Sequence, residues 1–380
     1  MKKYLGPKSC SNREEFESAI ELINNVFRIS NGFKPTMHIE FPYLLSENNK
    51  ENIIIMKSGN EVISIASYLK RDIIIEDSNI KVASIGAVCT DEKYRKNGLS
   101  SQVLDKVEEK MRNDGVELAL VSGTRTLYSR RNFVKIKSMK RYEFKGKEIN
   151  FNRYEISDYI DSDILYIAKI YNSYNCRFRR SISEFKTIIN SRPFNWGKLE
   201  YKTKVIRKEG RIVAYIILQI IDKKLGVVVE AFGKIDAIDI SISKLTKELN
   251  LDKTIYDINI DDKLNELERE YELGIYNRGS FKIINYEKLM NSLRNYFRQY
   301  YEYADDIEFI EIEQNIEKSK AIYRIKIYDE TLDIVGIGNI TELIFGKHYD
   351  LDISENTRIY SFIKKSLPIP LPYMENLNYQ

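Results

Sequence analysis

The most informative part of the N-terminal sequence is Gly86-Ala-Val-Cys-Thr-Asp-Glu-Lys-Tyr-Arg-Lys-Asn-Gly-Leu-Ser-Ser101. Its apolar start predicts a strand that ends near Thr90, and Arg95–Ser101 predicts a turn that opens a helix. Such a turn brings unpaired backbone amides and the positive end of a helix to one point, which favours binding of a pyrophosphate. Arg95 and Lys96 add positive charge, and Gly98 lets the backbone approach the phosphates. The alternative interpretation is a glycine that only begins a helix.

The elements predicted around this loop form an α+β unit. Periodicity and turn residues predict a helix over residues 11–28 with Ser11 and Glu14 as a capping box, strands over 52–56, 62–69, 72–75 and 80–89, a helix over 98–112, and a strand over 118–121. The order is helix, antiparallel strands, and then strand, turn, helix and strand. One βαβ step attached to antiparallel strands is typical of an α+β fold.

A similar order of elements recurs farther along the chain. The pattern predicts helices within 161–191, strands over 203–208, 212–220 and 226–231, a helix over 236–248, a strand over 254–258 and a helix over 262–271. A third segment begins near Asn285 with a helix, followed by strands over 307–312, 321–328 and 332–337 and a helical turn over 340–345. We therefore predict three domains, residues 1–147, 148–284 and 285–380.

Composition excludes several classes of function. The chain has 380 residues, 43% hydrophobic and 31% charged, and its 60 Lys+Arg and 56 Asp+Glu are spread along it, so we expect packed cores and no nucleic-acid partner. Three cysteines without C-x-x-C spacing and only two histidines, His38 and His348, argue against disulfides and a metal site. Neither a long apolar run nor a signal peptide behind Met1–Pro7 is visible, so we expect a soluble cytoplasmic protein without membrane contact.

The C-terminal segment has an unusual composition. Pro368, Pro370 and Pro372 alternate with Leu367, Ile369, Leu371 and Tyr373. Fixed proline φ angles impose an extended shape and remove alternate amide donors. A terminal linker is one interpretation. The other is an extended segment laid over the protein's own surface, because its side chains are too apolar for a solvated tail.

The loop and its neighbours resemble the GNAT superfamily of acetyl-CoA-dependent N-acetyltransferases over roughly residues 1–145. Arg95–Ser101 is similar to the superfamily's Arg/Gln-x-x-Gly-x-Gly/Ala pyrophosphate loop, and Val88–Thr90 resembles the strand edge that pairs with pantetheine amides. Leu127–Phe133 is similar to its Tyr-x-x-x-Gly-Phe element, in which Asn132 replaces glycine and also accepts positive φ. The resemblance implies an acetyl-CoA site formed by Val88, Cys89, Thr90, Arg95, Lys96, Asn97, Gly98, Leu99, Ser100 and Ser101. A dinucleotide site is the alternative, but the turn follows antiparallel strands and no Walker signature is present.

Over its full length the chain resembles the three-domain acetyltransferases of the enhanced-intracellular-survival type. This resemblance implies two tandem GNAT-like domains, the second degenerate, followed by a smaller sterol-carrier-like α+β domain, and it leaves a homo-oligomer open. The second unit lacks the phosphate-loop pattern and carries Asp236 and Asp239 where phosphates would bind. Since carboxylates repel a pyrophosphate, we expect one acetyl-CoA per chain.

The resemblance also implies a mechanism in which a primary amine attacks the thioester directly. Val88–Thr90 would polarise the carbonyl and Tyr128 would protonate the departing thiolate. The family places its terminal carboxylate in the active site, which here would be that of Gln380, with His38, Glu40 or water as alternative bases. Cys89 as a nucleophile is a rival, although its place inside a strand favours packing. The acceptor is a small amine or a lysine side chain, and the alternative function is a non-catalytic module that senses acetyl-CoA or binds an apolar ligand.

Overall fold

The computed structural model describes residues 4–123, 125–146, 153–191, 199–259, 271–312, 321–346 and 354–373. Its helices are α1 Arg13–Phe27, α2 Met37–Glu40, α3 Leu99–Asn113, α4 Thr126–Ser129, α5 Ile164–Asn172, α6 Ile182–Ser191, α7 Ile235–Glu248, α8 Tyr286–Ser292, α9 Arg294–Tyr300, α10 Ile337–Phe345 and α11 Arg358–Ser366. Its strands are β1 Leu5–Ser9, β2 Ile53–Ser58, β3 Glu61–Ile75, β4 Ser78–Thr90, β5 Leu118–Val121, β6 Lys137–Phe144, β7 Glu155–Asp158, β8 Cys176–Phe178, β9 Leu199–Lys208, β10 Arg211–Ile221, β11 Leu225–Gly233, β12 Lys253–Asn259, β13 Tyr271–Tyr276, β14 Ser280–Ile283, β15 Ile307–Ile312, β16 Ile322–Ile327 and β17 Glu330–Val335. The predicted α+β class is confirmed.

The first sheet has the strand order β1-β2-β3-β4-β5-β14, and β8 pairs with the end of β3. Its two faces follow from alternation of side chains along each strand. In β2, Ile53 and Ile55 pack in the cluster that contains α1, whereas Ile54 and Met56 pack in the cluster that contains α3. Helices on both faces therefore hold this sheet between them. The predicted strand over 72–75 is the continuation of β3 and not a separate strand.

Helix α1 begins one residue later than the predicted capping box. Asn12 is the N-cap residue, and its side chain accepts a hydrogen bond of 2.9 Å from the amide of Glu15. The carboxylate of Glu15 accepts in turn from the amide of Ser11 at 3.1 Å. The prediction that Ser11 and Glu14 form the box was wrong, because asparagine caps a helix as well as serine and Glu15 makes buried contacts with neighbouring strands.

The second sheet has the order β13-β6-β12-β11-β10-β9-β7, and it exchanges strands with the first. β6 lies within the predicted first domain, residues 1–147, yet it pairs with β12 and β13 of the second sheet. β14 lies within the predicted second domain, residues 148–284, yet it pairs with β5 of the first sheet. The two units are thus interlocked by their own strands, and an ion pair between Arg71 and Glu184 adds a further contact between them. The helix predicted over 262–271 lies outside the described residues, except that Tyr271 begins β13.

The third segment combines the antiparallel sheet β15-β16-β17 with helices α8 to α11. The predicted helix that starts near Asn285 is two helices, because α8 ends at Ser292 and α9 starts at Arg294. One apolar cluster joins this segment to the first sheet, since Leu118 and Leu120 of β5 pack in the same cluster as α8 and α9. No helix in the described parts of the chain is long and apolar enough to cross a membrane.

The proline-bearing segment is packed into that cluster. Leu367, Ile369 and Leu371 are each less than 5% exposed. The amide of Ile369, one of the few that the prolines leave, donates to the carbonyl oxygen of Ile344 at 2.8 Å. The interpretation of this segment as part of the protein's own packing is confirmed, and the linker interpretation is wrong.

Candidate active site

A gap opens in the first sheet where its two parallel strands separate. β4 and β5 pair from Val82 opposite Leu118 to Ile85 opposite Val121, and β4 then continues to Thr90 without β5 beside it. Along Gly86–Thr90, β4 pairs with β3 on one side, and no other described strand pairs with the opposite side. Backbone groups at such an edge can bind an extended ligand. We name this space between Gly86–Thr90 and the end of β5 the first gap.

A bulge changes the direction of β4 at the first gap. Ser67 lies opposite Gly86 and Ile65 lies opposite Cys89, so that Ala87 and Val88 share a single partner position. Ala87 has a φ of +53°, in the left-handed region. A bulge increases the local twist and reorients backbone groups, and bulges are frequent next to active sites. A ligand in the first gap would meet the backbone of Ala87–Thr90 on the side that does not pair with β3.

The loop after β4 has a conformation that suits an anion. Lys96 has a φ of +66° and Gly98 a φ of +73°, and Gly98 is the N-cap residue of α3. No heavy atom lies within 4 Å of the position that a Cβ of Gly98 would occupy. The side chain of Asn97 donates to the carbonyl oxygens of Tyr94 at 3.0 Å and Arg95 at 3.3 Å. Because the first amides of a helix lack partners within it, this turn provides donors and a positive potential at the open end of the first gap.

The side chains predicted to bind the cofactor lie around this turn but differ in exposure. Arg95, Lys96, Asn97, Gly98 and Ser101 are exposed, whereas Leu99 is 2% exposed and packs in the core, so only its amide is available. The hydroxyls of Ser100 and Thr90 are hydrogen-bonded to each other at 2.8 Å. The hydroxyl of Thr90 is also 2.7 Å from that of Ser64 on β3. This hydroxyl chain ties the first turn of α3 to the end of the sheet.

Tyr128 lies in the short helix α4, a few residues after β5. It is 6% exposed, and its ring packs edge-on against Phe133 at a centroid distance of 6.0 Å. The carbonyl oxygen of Tyr128 accepts a hydrogen bond from the amide of Phe133 at 3.1 Å. Asn132 has a φ of +62°, which confirms that it takes the positive φ expected for the glycine it replaces. Sequence reasoning missed Gly123, two residues after β5, where a Cβ would lie 2.5 Å from the Tyr128 ring. A glycine so close to the end of a strand is a signal of close packing that could have pointed to it.

Cys89 and Glu40 have environments that limit their reactivity. Burial raises the pKa of the Cys89 thiol to about 12, so this thiol remains protonated at neutral pH. Glu40 is 8% exposed and forms a buried ion pair in which Arg28 Nε donates to Oε1 at 2.8 Å and Nη2 to Oε2 at 2.5 Å. Sequence reasoning did not find this pair, because the two residues are separated by a loop without periodicity. His38, in contrast, is exposed, and Gln380 lies outside the described residues.

The second sheet has a corresponding gap, in which side chains of the protein itself bind the strand edge. β11 and β12 pair in parallel from Leu225 opposite Lys253 to Val228 opposite Tyr256, and then separate. Beyond this point the carbonyl oxygen of Ala231 accepts a hydrogen bond of 3.0 Å from the hydroxyl of Tyr256. The Tyr174 hydroxyl accepts from the amide of Gly233 and donates to its carbonyl oxygen, both at 3.0 Å. The strand edge that a pantetheine would need is therefore bound by tyrosine hydroxyls.

Two further features occupy the second gap. Asn259 at the end of β12 donates to the carbonyl oxygen of Leu371 at 2.8 Å, so the proline-bearing segment lies against this gap and leaves a cavity of about 110 Å³. At the start of α7, Asp236 accepts a hydrogen bond of 2.6 Å from the hydroxyl of Tyr154. A carboxylate already stands at this helix N-terminus, where a phosphate would otherwise bind.

Comparison with known proteins agrees with this geometry. Residues 10–135 match the family model of the acetyltransferase (GNAT) domain. This part of the chain is therefore a GNAT acetyltransferase domain, which confirms the resemblance inferred from its motifs and shows that the chain carries an acyltransferase domain. Comparison with curated proteins finds no match.

Solved structures share the fold over most of the chain at low sequence identity. A GCN5-related N-acetyltransferase from Anabaena variabilis has 12% identity and a TM-score of 0.61, covering 90% of this chain and 89% of its own. A conserved protein of unknown function from Enterococcus faecalis has 14% identity and a TM-score of 0.63, covering 97% and 96%. Eis1 from Mycobacterium abscessus has 12% identity and a TM-score of 0.54, covering 87% and 85%. The fold of most of the chain is thus shared, whereas the three domains and a sterol-carrier-like third domain remain predictions.

Proposed function

We propose that the chain is an acetyl-CoA-dependent N-acetyltransferase that transfers an acetyl group to a primary amine, either a small molecule or a lysine side chain. The observation that carries the proposal is the first gap itself. It has a positive, amide-rich loop at its open end and Tyr128 near its closed end. A ligand with a pyrophosphate at one end and a thioester at the other fits this arrangement.

The proposed orientation of the cofactor follows from the order of these groups. The pyrophosphate binds at Arg95–Ser101, where the α3 amides and the exposed cations lie. The pantetheine arm runs along Val88–Thr90 and pairs with this free strand edge. Its thioester then reaches Gly86–Val88, close to where β4 and β5 begin to pair.

In the proposed reaction the amine nitrogen attacks the thioester carbonyl carbon, and the C–S bond then breaks. Backbone amides of the bulged strand stabilise the negative charge on the carbonyl oxygen. Tyr128 gives its hydroxyl proton to the departing thiolate. The products are the acetylated amine and CoA. Of the two protons that the ammonium nitrogen loses, one passes to a base before the attack, and the second, released as the amide forms, restores the hydroxyl group of Tyr128.

The environments described above narrow the choice of base and argue against a covalent intermediate. Both carboxylate oxygens of Glu40 accept hydrogen bonds from Arg28, so this carboxylate is engaged in a buried ion pair. His38 is exposed and, together with Gln380 and water, remains a candidate. The buried thiol of Cys89, with its pKa raised to about 12, is a poor nucleophile, which supports direct attack within a ternary complex.

We also propose that each chain binds one acetyl-CoA. The tyrosine hydroxyls and Asp236 in the second gap support this stoichiometry, because they occupy the positions that a second cofactor would need.

The test combines calorimetric titration of the full chain with a thiol-release assay against a panel of amines. We expect one acetyl-CoA per chain, and thiol release that depends on at least one amine. Two equivalent sites would contradict the proposed stoichiometry. Absence of both acetyl-CoA binding and amine-dependent thiol release would contradict the proposed function.

A further inference from the structure

The closed end of the first gap is covered on one side by Leu44. This residue lies in the loop that follows α2 and is 4% exposed. Its Cδ2 atom is 2.5 Å from the position that a Cβ of Gly86 would occupy, so the leucine side chain sits directly on the glycine backbone. Gly86 is the first residue of β4 beyond the last pair with β5. The contact therefore lies at the point where the two strands separate.

The loop that carries Leu44 is fixed to the sheet by buried amide groups. The side chain of Asn49 donates to the carbonyl oxygen of Leu44 at 2.9 Å and to that of Tyr68 on β3 at 3.0 Å. Asn52 donates to the side-chain oxygen of Asn49 at 2.8 Å, and both asparagines are less than a tenth exposed. Buried polar groups with satisfied hydrogen bonds hold a loop in one position. Leu44 is therefore a fixed wall and not a mobile surface side chain.

The other directions from the closed end are also blocked. In the direction of the strands, the Ile85–Val121 pair closes the first gap. On the α3 face, Ile85, Val121 and Tyr128 pack in one buried cluster with Phe133. On the opposite face, Leu44 belongs to the cluster that contains α1. An acyl chain that reaches this point can become longer only by displacing one of these groups.

We propose that Leu44 restricts the acyl donor to the shortest acyl chains, acetyl and propionyl, by covering the closed end of the first gap on its α1 face. The inference rests on the proposed function, since it assumes that the thioester lies at Gly86–Val88. It adds the residue that limits chain length and the class of donor that is excluded, namely CoA thioesters of butyryl and longer chains.

The test compares dissociation constants for CoA, acetyl-CoA and butyryl-CoA in the full-length wild type, Leu44→Ala and Leu44→Val, measured by calorimetry without any amine. Each buried methylene strengthens binding by about fourfold. We expect Leu44→Ala to shift the ratio of butyryl-CoA to acetyl-CoA affinity by about tenfold toward butyryl-CoA, with the affinity for CoA unchanged. Leu44→Val removes less volume and should give a smaller shift in the same direction, and it keeps the test valid if the alanine variant does not fold.

Leu45→Ala is the matched control. Leu45 is 2% exposed and packs in the same cluster, but the three heavy atoms nearest to the Cβ position of Gly86 all belong to Leu44. We expect it to leave the ratio unchanged. A folded Leu44→Val with the wild-type ratio, or an equal shift in Leu45→Ala, would overturn the inference while leaving the proposed function intact. A wild type that binds neither CoA nor acetyl-CoA would instead contradict the proposed function.

Discussion

Tyr128 owes its position to backbone features on both sides of it. The absence of a side chain at Gly123 leaves room for the ring, since a Cβ there would lie 2.5 Å from its Cε2 atom. The left-handed conformation of Asn132 then turns the chain so that the amide of Phe133 donates back to the Tyr128 carbonyl oxygen. A side chain that is fixed in this way can hold its hydroxyl at one point without losing conformational entropy during the reaction.

Replacing the hydroxyl tests the proposed role of this residue. We expect Tyr128→Phe to lower kcat by roughly 10²–10⁴-fold, the range for loss of a general acid. The dissociation constant of acetyl-CoA should stay unchanged, because the phenylalanine ring keeps the packing. Steady-state thiol release measures kcat, and calorimetry measures the dissociation constant of acetyl-CoA. Tyr328→Phe, at an exposed tyrosine of the third segment, serves as the control. Turnover of Tyr128→Phe equal to that of the control would exclude the residue from the chemistry.

At the scale of elements, the loop between β4 and α3 combines two requirements at Gly98. Its φ of +73° favours glycine or asparagine, and its position at the helix N-terminus favours a residue without negative charge. There is open space around it, so a new side chain at this position meets no steric obstacle. Two variants of nearly equal size, one with a charged side chain and one with a neutral side chain at Gly98, can therefore separate the effect of charge on binding from the effect of backbone conformation.

We expect Gly98→Asp to weaken acetyl-CoA binding strongly, because its carboxylate repels the pyrophosphate. Gly98→Asn has the same shape and tolerates positive φ, so it should retain most of the affinity. Calorimetric titration of both variants measures the difference, and raising the salt concentration should reduce it by screening the charge. Equal affinities of the two variants would show that no phosphate lies near this residue.

A second element-scale feature is the attachment of α1 to the first sheet through Glu15. Burial raises the pKa of Glu15, but hydrogen bonds from Lys8 on β1, the Ser11 amide and Lys57 on β2 outweigh this effect and lower it to about 2. The folded state therefore binds protons at Glu15 less readily than the unfolded state, whose ordinary value is 4.5. The stability that this group contributes is present above the ordinary pKa and is lost as the pH falls toward 2.

Measurement of unfolding by urea across this pH range tests the attachment. The free energy of unfolding should be lower for Glu15→Gln than for the wild type above about pH 5, and the difference should shrink as the pH falls toward about 2. Other carboxylates also titrate in this window, so the difference between the two proteins is the relevant quantity. Glu14→Gln, at the exposed neighbouring position, should behave like the wild type at every pH. A difference that does not vary with pH would contradict the assigned ion pairs.

For the whole molecule, the exchange of β6 and β14 makes the first two units depend on each other. β6 contributes Tyr142 and Phe144, both fully buried, to the core of the second sheet. β14 covers the edge of β5, which would otherwise expose unpaired backbone groups. The boundaries predicted at residues 147 and 284 remain predictions for the domains, but the sheets do not follow them.

Fragments cut at the first of these boundaries test the interlocking. We expect residues 1–147 alone to lack cooperative unfolding and acetyl-CoA binding, because the fragment exposes the buried face of β6 and the edge of β5. Co-expression of residues 1–147 with 148–380 should restore binding, since the partner supplies β14 and the second sheet. Thermal unfolding and calorimetry report on both samples. A fragment that binds acetyl-CoA as the intact chain does would show that the units fold independently.

The sequence alone determined those features that depend on neighbouring residues. The strand over Leu118–Val121, the loop at Arg95–Ser101 and the helix after it were predicted because apolar periodicity, glycine and cationic residues act within a few positions of one another. The resemblance of the chain's motifs to the GNAT superfamily added the expectation of a positive φ at Asn132, which replaces the superfamily's glycine. The composition of the proline-bearing segment left two interpretations open, a terminal linker and a segment packed on the protein, and the structure confirms the second.

The features that join distant parts of the chain could not be predicted from the sequence and became visible in the folded protein. Four such features bring together residues that share no periodic pattern. They are the exchange of β6 and β14, the tyrosine hydroxyls that bind the strand edge in the second gap, the pairing of Glu40 with Arg28, and the contact of Leu44 with Gly86. Short strands such as β6 and β14 take their partners from the edges and apolar faces that the rest of the fold offers, because strand pairing depends on context more than on intrinsic preference. Whether a carboxylate is a base or a buried ion pair depends in the same way on what packs around it, since its desolvation and its partners exist only in the folded chain.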